Sequence, residues 1–266
     1  METKKKILIV TPLHTDNLIL QYNISIFEII NNKNNQFEIN VIWRKGNNIN
    51  HIKNELVSCF INSDYDYIFF IDNDIVDFVE SFFKIVFKYI SIEKEIPLLV
   101  LGGIYPIKHL NFDYINNLKE LNDENWEQVM LNYNVNIKEL GKDNLDILEK
   151  ADKNDGLVEV QSISGGFMMF SKYVIEKFIE KYPESKYKAK NNETQNGIDN
   201  YNLFHSFIED ESKFYLNEDD GFCYYFKKMN GVLLANIKLK LSCYGEQIFK
   251  GSLYETLKIN EMSKNN

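Results

Sequence analysis

The sequence predicts an α/β fold: a single domain on a mostly parallel central sheet flanked by helices, with a helical excursion in the middle of the chain. Three observations carry this. Between residues 6 and 103, short continuous apolar runs alternate with stretches whose apolar residues recur at helical spacing, the pattern of parallel strands joined by right-handed crossovers. The chain has 266 residues, enough for one large α/β domain and short for two. Three of the apolar runs end in loop-forming or acidic residues, at Thr11-Pro12, Asp72-Asn73-Asp74 and Gly102-Gly103, and open α/β sheets bind ligands beyond the carboxyl ends of their strands.

The elements follow in order. Lys6 to Thr11 reads as a buried strand stopped by Pro12. Leu18 to Ile30 places Leu18, Tyr22, Ile26, Ile29 and Ile30 along one helical face. Phe37 to Trp43 alternates and is β-branched, a second strand. Asn50 to Ile61 is a helix with Ile52, Leu56, Val57 and Phe60 on one side. Tyr65 to Ile71 is a third strand, Asp77 to Ile90 a helix, and Pro97 to Leu101 a fourth strand closed by Gly102-Gly103. Leu110 to Gly156 is polar and poor in β-branched residues; it is expected to leave the sheet as a helical lid or acceptor-binding segment. Val158 to Phe170 returns to strand character, interrupted at Gly165-Gly166, and Lys172 to Tyr182 is a helix. Ser185 to Gly197 reads as a loop, Asp219 to Met229 as a short helix, and Val232 to Ala235 and Ile237 to Leu241 as strands. The polar residues 252–266 are expected to fray as a tail.

The net charge of -9, with no basic run beyond Lys4-Lys5-Lys6, argues against a nucleic-acid partner. It also requires any phosphate to be held locally, by a metal or by a few placed cations. Cys59, Cys223 and Cys243 form no CxxC pair and are odd in number, so neither a disulfide framework nor a zinc cluster is expected. No apolar run reaches membrane-spanning length, and Ile7 to Val10 is too short for a signal-peptide core. These features predict a soluble, cytoplasmic protein; they leave the oligomeric state open.

Asp72-Asn73-Asp74 directly follows four apolar residues. Two carboxylates one residue apart at a strand end can share a hard divalent cation, which can bridge two phosphates and neutralise a leaving group. The plainer reading is a loop that caps the helix beginning at Asp77. Gly165-Gly166 permits close backbone approach to a ligand. Arg44, at the end of the second strand, could meet a base or a phosphate. Glu218-Asp219-Asp220 opens a helix, where the macrodipole favours carboxylates.

Tyr67 to Ile75 (YIFFIDNDI) resembles the D-x-D region of GT-A glycosyltransferases, in particular the small enzymes of large DNA viruses, phages and bacteria. Further segments are similar to that family in order and spacing: Lys53-Asn54 to its basic–Asn pair, Leu101 to Lys108 (LGGIYPIK) to its GG-x-Y-P-x-K stretch, and Ser164 to Phe170 (SGGFMMF) to its TGFMM segment. Asn217 to Cys223 (NEDDGFC) resembles its EDxxFC motif, and Ser242 to Gly251 (SCYGEQIFKG) its closing H-x-G…FKG.

The resemblance implies a Rossmann-like GT-A domain over residues 1–251, followed by the tail. It implies sugar transfer from a nucleotide-diphosphate donor, UDP-sugar by preference, to a hydroxyl of a glycan or glycoconjugate. Mn2+ or Mg2+ would sit at Asp72 and Asp74. Thr11, Pro12, Arg44, Lys53, Asn54, Asp72, Asn73, Gly165, Gly166 and Lys250 would hold the donor. In inverting members a carboxylate of the EDxxFC motif is the general base; by position this is Asp219, with Glu218 orienting the acceptor. Tyr244 departs from the pattern, standing where the family has a metal-binding His. A phenol is a poor substitute, so either the metal is weakly bound or Glu246 contributes a ligand. His14, His51, His109 and His205 lie elsewhere in the sequence.

Three other readings use the same residues. D-x-D after an apolar strand also occurs in haloacid-dehalogenase phosphatases, but there it follows the first strand. A nucleotidyltransferase would carry a Gly-rich basic loop where this chain has Pro12 to Asn17 (PLHTDN). Tyr244 would suit a non-catalytic module that binds a sugar nucleotide or glycan.

Overall fold

A computed structural model describes residues 4–14, 17–32, 36–111, 126–133, 135, 140–188 and 199–264. In the first half, strand and helix alternate as the sequence predicts, except that Pro12 does not stop β1 and a short β4 follows the acidic turn: β1 (Lys6–Leu13), α1 (Leu20–Ile30), β2 (Glu38–Lys45), α2 (Ile49–Ile61), β3 (Tyr67–Ile71), β4 (Ile75–Val76), α3 (Val79–Ile92) and β5 (Leu99–Gly103). Pro12 pairs in register with Arg44 of β2. The helices form where apolar spacing and caps agree. Asn48 caps α2, its side chain accepting from the His51 N–H at 3.2 Å. In α3, Phe82, Ile85, Val86 and Tyr89 are all buried, the i, i+3, i+4, i+7 stripe of a core-facing helix.

The middle segment is not purely helical. It holds β6 (Pro106–Leu110), α4 (Trp126–Met130), β7 (Leu131–Tyr133) and α5 (Asn144–Lys153), with β6 and β7 paired antiparallel outside the main sheet. The rest of the expected excursion, residues 112–125, 134 and 136–139, lies outside the described residues. The chain continues through β8 (Leu157–Glu159), β9 (Phe167–Ser171), α6 (Lys172–Lys181), a 3-10 turn (Pro183–Ser185) and β10 (Lys186–Tyr187). After residues 189–198, also outside the description, come β11 (Asn200–Tyr201), β12 (Phe207–Ile208), β13 (Tyr215–Leu216), α7 (Glu218–Lys228), β14 (Val232–Asn236), β15 (Leu241–Tyr244), β16 (Ile248–Gly251) and α8 (Leu253–Lys264).

The central sheet has seven strands in the order β2-β1-β3-β9-β5-β14-β8. Strands β2, β1, β3, β5 and β14 share a direction, while β9 and β8 run against their neighbours. The sheet is therefore mostly parallel but mixed at its centre. The expected strand from Val158 to Phe170 is two: β8 at an edge, and β9 inserted antiparallel between β3 and β5. Phe167, Met168, Met169 and Phe170 of β9 are wholly buried, as a strand covered on both faces requires.

Period-two alternation sorts each strand's side chains into two cores. Leu8, Val10, Ile68, Phe70, Met168 and Phe170 pack with Ile52, Leu56 and Phe60 of α2, Phe178 of α6 and Phe222 of α7. Ile7, Ile9, Phe69, Ile71, Phe167 and Met169 pack with Tyr22 and Ile29 of α1 and Phe82 and Tyr89 of α3.

Two further expectations are corrected. Residues 237–240 are not a strand but a turn and a short irregular stretch; they let β15 leave the main sheet and pair antiparallel with β4 and β16. Residues 253–264 are not a frayed tail but α8, whose Leu253 and Leu257 enter the core. The Thr256 hydroxyl donates to the Gln128 carbonyl at 3.0 Å, tying the helix to α4. The polar composition of the segment hides this, because two leucines four residues apart suffice to seat a helix. Among the described residues no helix is long and apolar enough to cross a membrane.

Replacing Leu257 with Ala should cost about 3 kcal/mol of stability, the usual cost of truncating a buried leucine. Urea unfolding measures it; a shift within roughly 0.5 kcal/mol, typical of an exposed site, would show that α8 does not belong to the core.

Candidate functional site

The acidic turn after β3 is fixed by backbone bonds. The Asp72 N–H donates to the Gly166 carbonyl at 2.9 Å, and the Ile75 N–H to the Asp72 carbonyl at 3.0 Å. Asn73 pins the neighbouring segment: its Oδ1 accepts from the Ile19 N–H at 3.0 Å and its Nδ2 donates to the Asn17 carbonyl at 3.1 Å. Opposite lies the start of α7. The Asn217 side chain caps it by accepting from the N–H groups of Asp219 and Asp220, at 2.9 and 3.0 Å. Between the turn and the helix start is a cavity of about 430 Å³, lined by Pro12, Asp72, Asn73, Asp74, Lys53, Lys108, Glu218 and Asp219 among others. It lies at the carboxyl ends of β1 and β3, where an open α/β sheet binds ligands.

Two ammonium groups organise the carboxylates. Lys53 of α2 has a side chain only 3% exposed and reaches Glu218 Oε1 at 2.9 Å and Asp219 Oδ1 at 2.5 Å. Burial would lower its pKa, but the charges of Asp219, Asp72 and Glu218 outweigh burial and raise it. Lys108 Nζ lies 2.6 Å from Asp74 Oδ2; burial opposes its charge, and Asp74 more than compensates. Asp72 is partly accessible from the cavity yet ringed by protein. Burial pushes its pKa up, Lys53 opposes, and Asp74, Asp219 and Glu218 add to the rise, to about 7. Among the described residues, four carboxylates thus face two ammonium groups. A bare polyanion would be repelled from such a site, whereas a cation, or an anion bound together with one, is attracted.

The glycine pair is the wall on which the two acidic groups meet. The Gly165 N–H donates to Asp219 Oδ2 at 2.8 Å. A Cβ at Gly165 would lie 2.5 Å from Asp219 Oδ1, and one at Gly166 would lie 2.2 Å from the Tyr105 hydroxyl and 2.6 Å from Asp72 Oδ2. Close approach is therefore required, as the sequence suggests, and the groups approached are the protein's own carboxylates. The Tyr105 hydroxyl is held by Ser164 Oγ at 2.6 Å.

Other expected donor residues have different tasks. Thr11 is buried and its hydroxyl bonds Tyr22, so only Pro12 of that pair lines the cavity. Arg44, on the edge strand β2, donates to the Trp43 carbonyl at 3.2 Å and contacts Cys59 Sγ at 3.7 Å; it does not line the cavity. Asn54 donates to Asn202 Oδ1 at 2.9 Å and to the Phe204 carbonyl at 2.8 Å, and accepts from the Phe204 N–H at 2.9 Å. It is a clamp for the 202–204 segment. Lys250 projects from β16 beside Ser242 in register and is absent from the cavity wall, as is Glu246. The Tyr244 N–H donates to the Asp74 carbonyl at 2.7 Å, so the closing motif does abut the acidic turn.

The residue that sequence reasoning missed is Lys108, the cation actually placed on Asp74. Its signal was present as the last residue of the LGGIYPIK stretch. Nothing in the sequence paired it with Asp74, because that pairing depends on how β6 leaves β5.

Asp72 and Asp74 can offer oxygen ligands to a divalent cation. Among the described residues no three His, Cys, Asp or Glu side chains converge to hold one. The donor set fits a cation shared with a phosphate ligand, and does not fit one held by protein alone.

No protein-family model matches the chain, and no curated protein does. The solved structure described as "Crystal Structure of A197 from STIV" is similar over 93% of this chain and 94% of that chain, with 16% identity and a TM-score of 0.46. A likeness of that degree carries neither fold nor function; the fold described above rests on the strand topology.

Lys53→Met should destabilise the protein by about 3–5 kcal/mol, since it strands two carboxylates; chemical denaturation would detect this readily. Asp72→Asn should stabilise the protein at neutral pH. Asp72 has a raised folded pKa, so the folded state retains a proton that the unfolded state gives up. Wild-type stability from this group is therefore present at low pH and lost as pH rises from its ordinary 3.8 through about 7. The advantage of Asp72→Asn should grow across that window and vanish below it; a pH-independent difference would contradict the assignment.

Proposed function

We propose that the cavity binds a nucleoside-diphosphate sugar together with Mn2+ or Mg2+ and transfers the sugar to a hydroxyl of a glycan or glycoconjugate acceptor. The observation that carries the proposal is the Asp72/Asp74 turn facing the Glu218/Asp219 pair across one cavity with an excess of negative charge. Asp72 and Asp74 would hold the cation jointly with the diphosphate, and the chemistry it supplies when bound is neutralisation of charge on the departing phosphate. Lys108 adds a second positive charge on that side. UDP is the favoured base-bearing group, as the commonest donor in folds of this kind.

The reaction we propose is inverting. The acceptor oxygen forms a bond to the anomeric carbon as the bond from that carbon to the diphosphate breaks, and a carboxylate takes the acceptor's proton. The sequence favours Asp219 for this task, but both of its oxygens are engaged, one by Lys53 and one by the Gly165 N–H. Glu218 spends Oε1 on Lys53, and among the described residues its Oε2 has no hydrogen-bond partner. We therefore assign the base to Glu218 and a positioning role to Asp219.

Thermal unfolding with UDP, GDP, CDP or TDP, with and without manganese, tests the binding step. A ligand at a hundredfold excess over its dissociation constant stabilises by about 2.7 kcal/mol, roughly 5–10 °C here. One nucleotide should give this shift only with manganese, and Asp74→Asn should abolish it. If no nucleotide shifts the wild type, the transferase proposal fails. Glu218→Gln should keep the shift and lose about 10²–10⁴-fold in transfer.

A further inference from the structure

The first turn of α2 separates two cavities of opposite chemistry. Ile49 and Lys53 face the acidic cavity. Asn48, Asn50 and His51, one turn round the same helix, face an open groove of about 420 Å³, whose other wall includes Ser185, Tyr187 and Asn202. Among the described residues no Lys, Arg or aliphatic side chain lines this groove; the lining carboxylate is Glu184, and Glu55 stands 3.8 Å from His51 Nε2. Among these described residues a phosphate finds no Lys or Arg, and a lipid chain no aliphatic wall. Amide, imidazole, phenol and hydroxyl groups, which both donate and accept, suit a ligand with many hydroxyls and no charge.

The groove is also built in advance. The Asn54 clamp fixes Asn202. Asn50 Nδ2 donates to Ser206 Oγ at 3.1 Å, and Asn48 Oδ1 holds the helix start through the His51 N–H. Ser185 is fixed through its backbone: its N–H donates to the Tyr182 carbonyl at 3.0 Å and its carbonyl accepts from the Asn202 N–H at 2.8 Å. Yet among the described residues its buried hydroxyl has no hydrogen-bond partner. A buried polar atom without a partner is costly and needs an explanation; a turn of the Ser185 side chain about χ1 toward the groove would let a ligand hydroxyl supply one.

We infer that this groove is a second binding site, distinct from the acidic cavity, for a neutral carbohydrate. The inference goes beyond the transfer reaction and stands or falls without it, because its ligand touches neither Asp74 nor Glu218.

Saturation-transfer NMR on the full chain tests it, with methyl glycosides of neutral hexoses and N-acetylhexosamines as probes, and glucuronic acid and methyl phosphate as charged controls. At least one neutral glycoside should bind at millimolar concentration and the charged probes should not. His51→Ala/Tyr187→Ala should weaken binding about tenfold or more, the scale of one or two lost hydrogen bonds. Ser185→Ala, which removes only the hydroxyl, should weaken it with no loss of melting temperature, and serves if the double variant fails to fold. Asp74→Asn and Glu218→Gln should leave glycoside binding unchanged. The inference is overturned if no neutral glycoside binds, if the charged probes bind equally well, if the groove variants bind like wild type, or if the acidic-cavity variants abolish binding.

Discussion

The buried ammonium of Lys53 is the interaction on which the site depends. It reaches carboxylates on two successive residues, Glu218 and Asp219, and so joins α2 to the start of α7. Asp219 extends the link to the Gly165 N–H on the segment leading into β9, the central strand of the sheet. One cation thereby ties a helix of the first half, a helix of the second half and the middle of the sheet. Such an ammonium, taken from water, is tolerable only because its partners are within hydrogen-bond distance. Their need for it is equally strong, since two carboxylates opening one helix would otherwise repel.

The same charge arithmetic gives the cavity its chemical character. Among the described residues, Lys53 and Lys108 together leave two of four carboxylates uncompensated, and burial with three acidic neighbours holds Asp72 well above the usual carboxylate range. The site is poised for a cation or for a ligand that brings one. Among its described residues, the groove on the other side of α2 shows no such bias, as a single helical turn sends Ile49 and Lys53 one way and Asn50 and Asn54 the other.

The mixed sheet explains how acidic groups so far apart in sequence become neighbours. Because β9 enters antiparallel between β3 and β5, the residues before it, Ser164 to Gly166, arrive at the carboxyl end of β3. There the Gly166 carbonyl receives the Asp72 N–H, and only a residue without Cβ fits between Asp72 and Tyr105. A fully parallel sheet would place the start of that strand at the opposite edge.

The sequence by itself determined the elements of the first half, the acidic turn after β3, the glycine pair and the acidic opening of α7. Each is written in local terms: apolar runs, helical spacing, caps and residues without a Cβ. What only the tertiary structure decided is which side chains meet. Lys108 rather than Lys250 stands on Asp74, Asn54 clamps a loop, Thr11 turns inward to Tyr22, and Asp219 has both oxygens occupied while Glu218 keeps one available. The antiparallel entry of β9 and the docking of α8 belong to the same class. These outcomes depend on strand order and on contacts between residues from 11 (Thr11 and Tyr22) to 166 (Lys53 and Asp219) positions apart, and local periodicity holds no information about either.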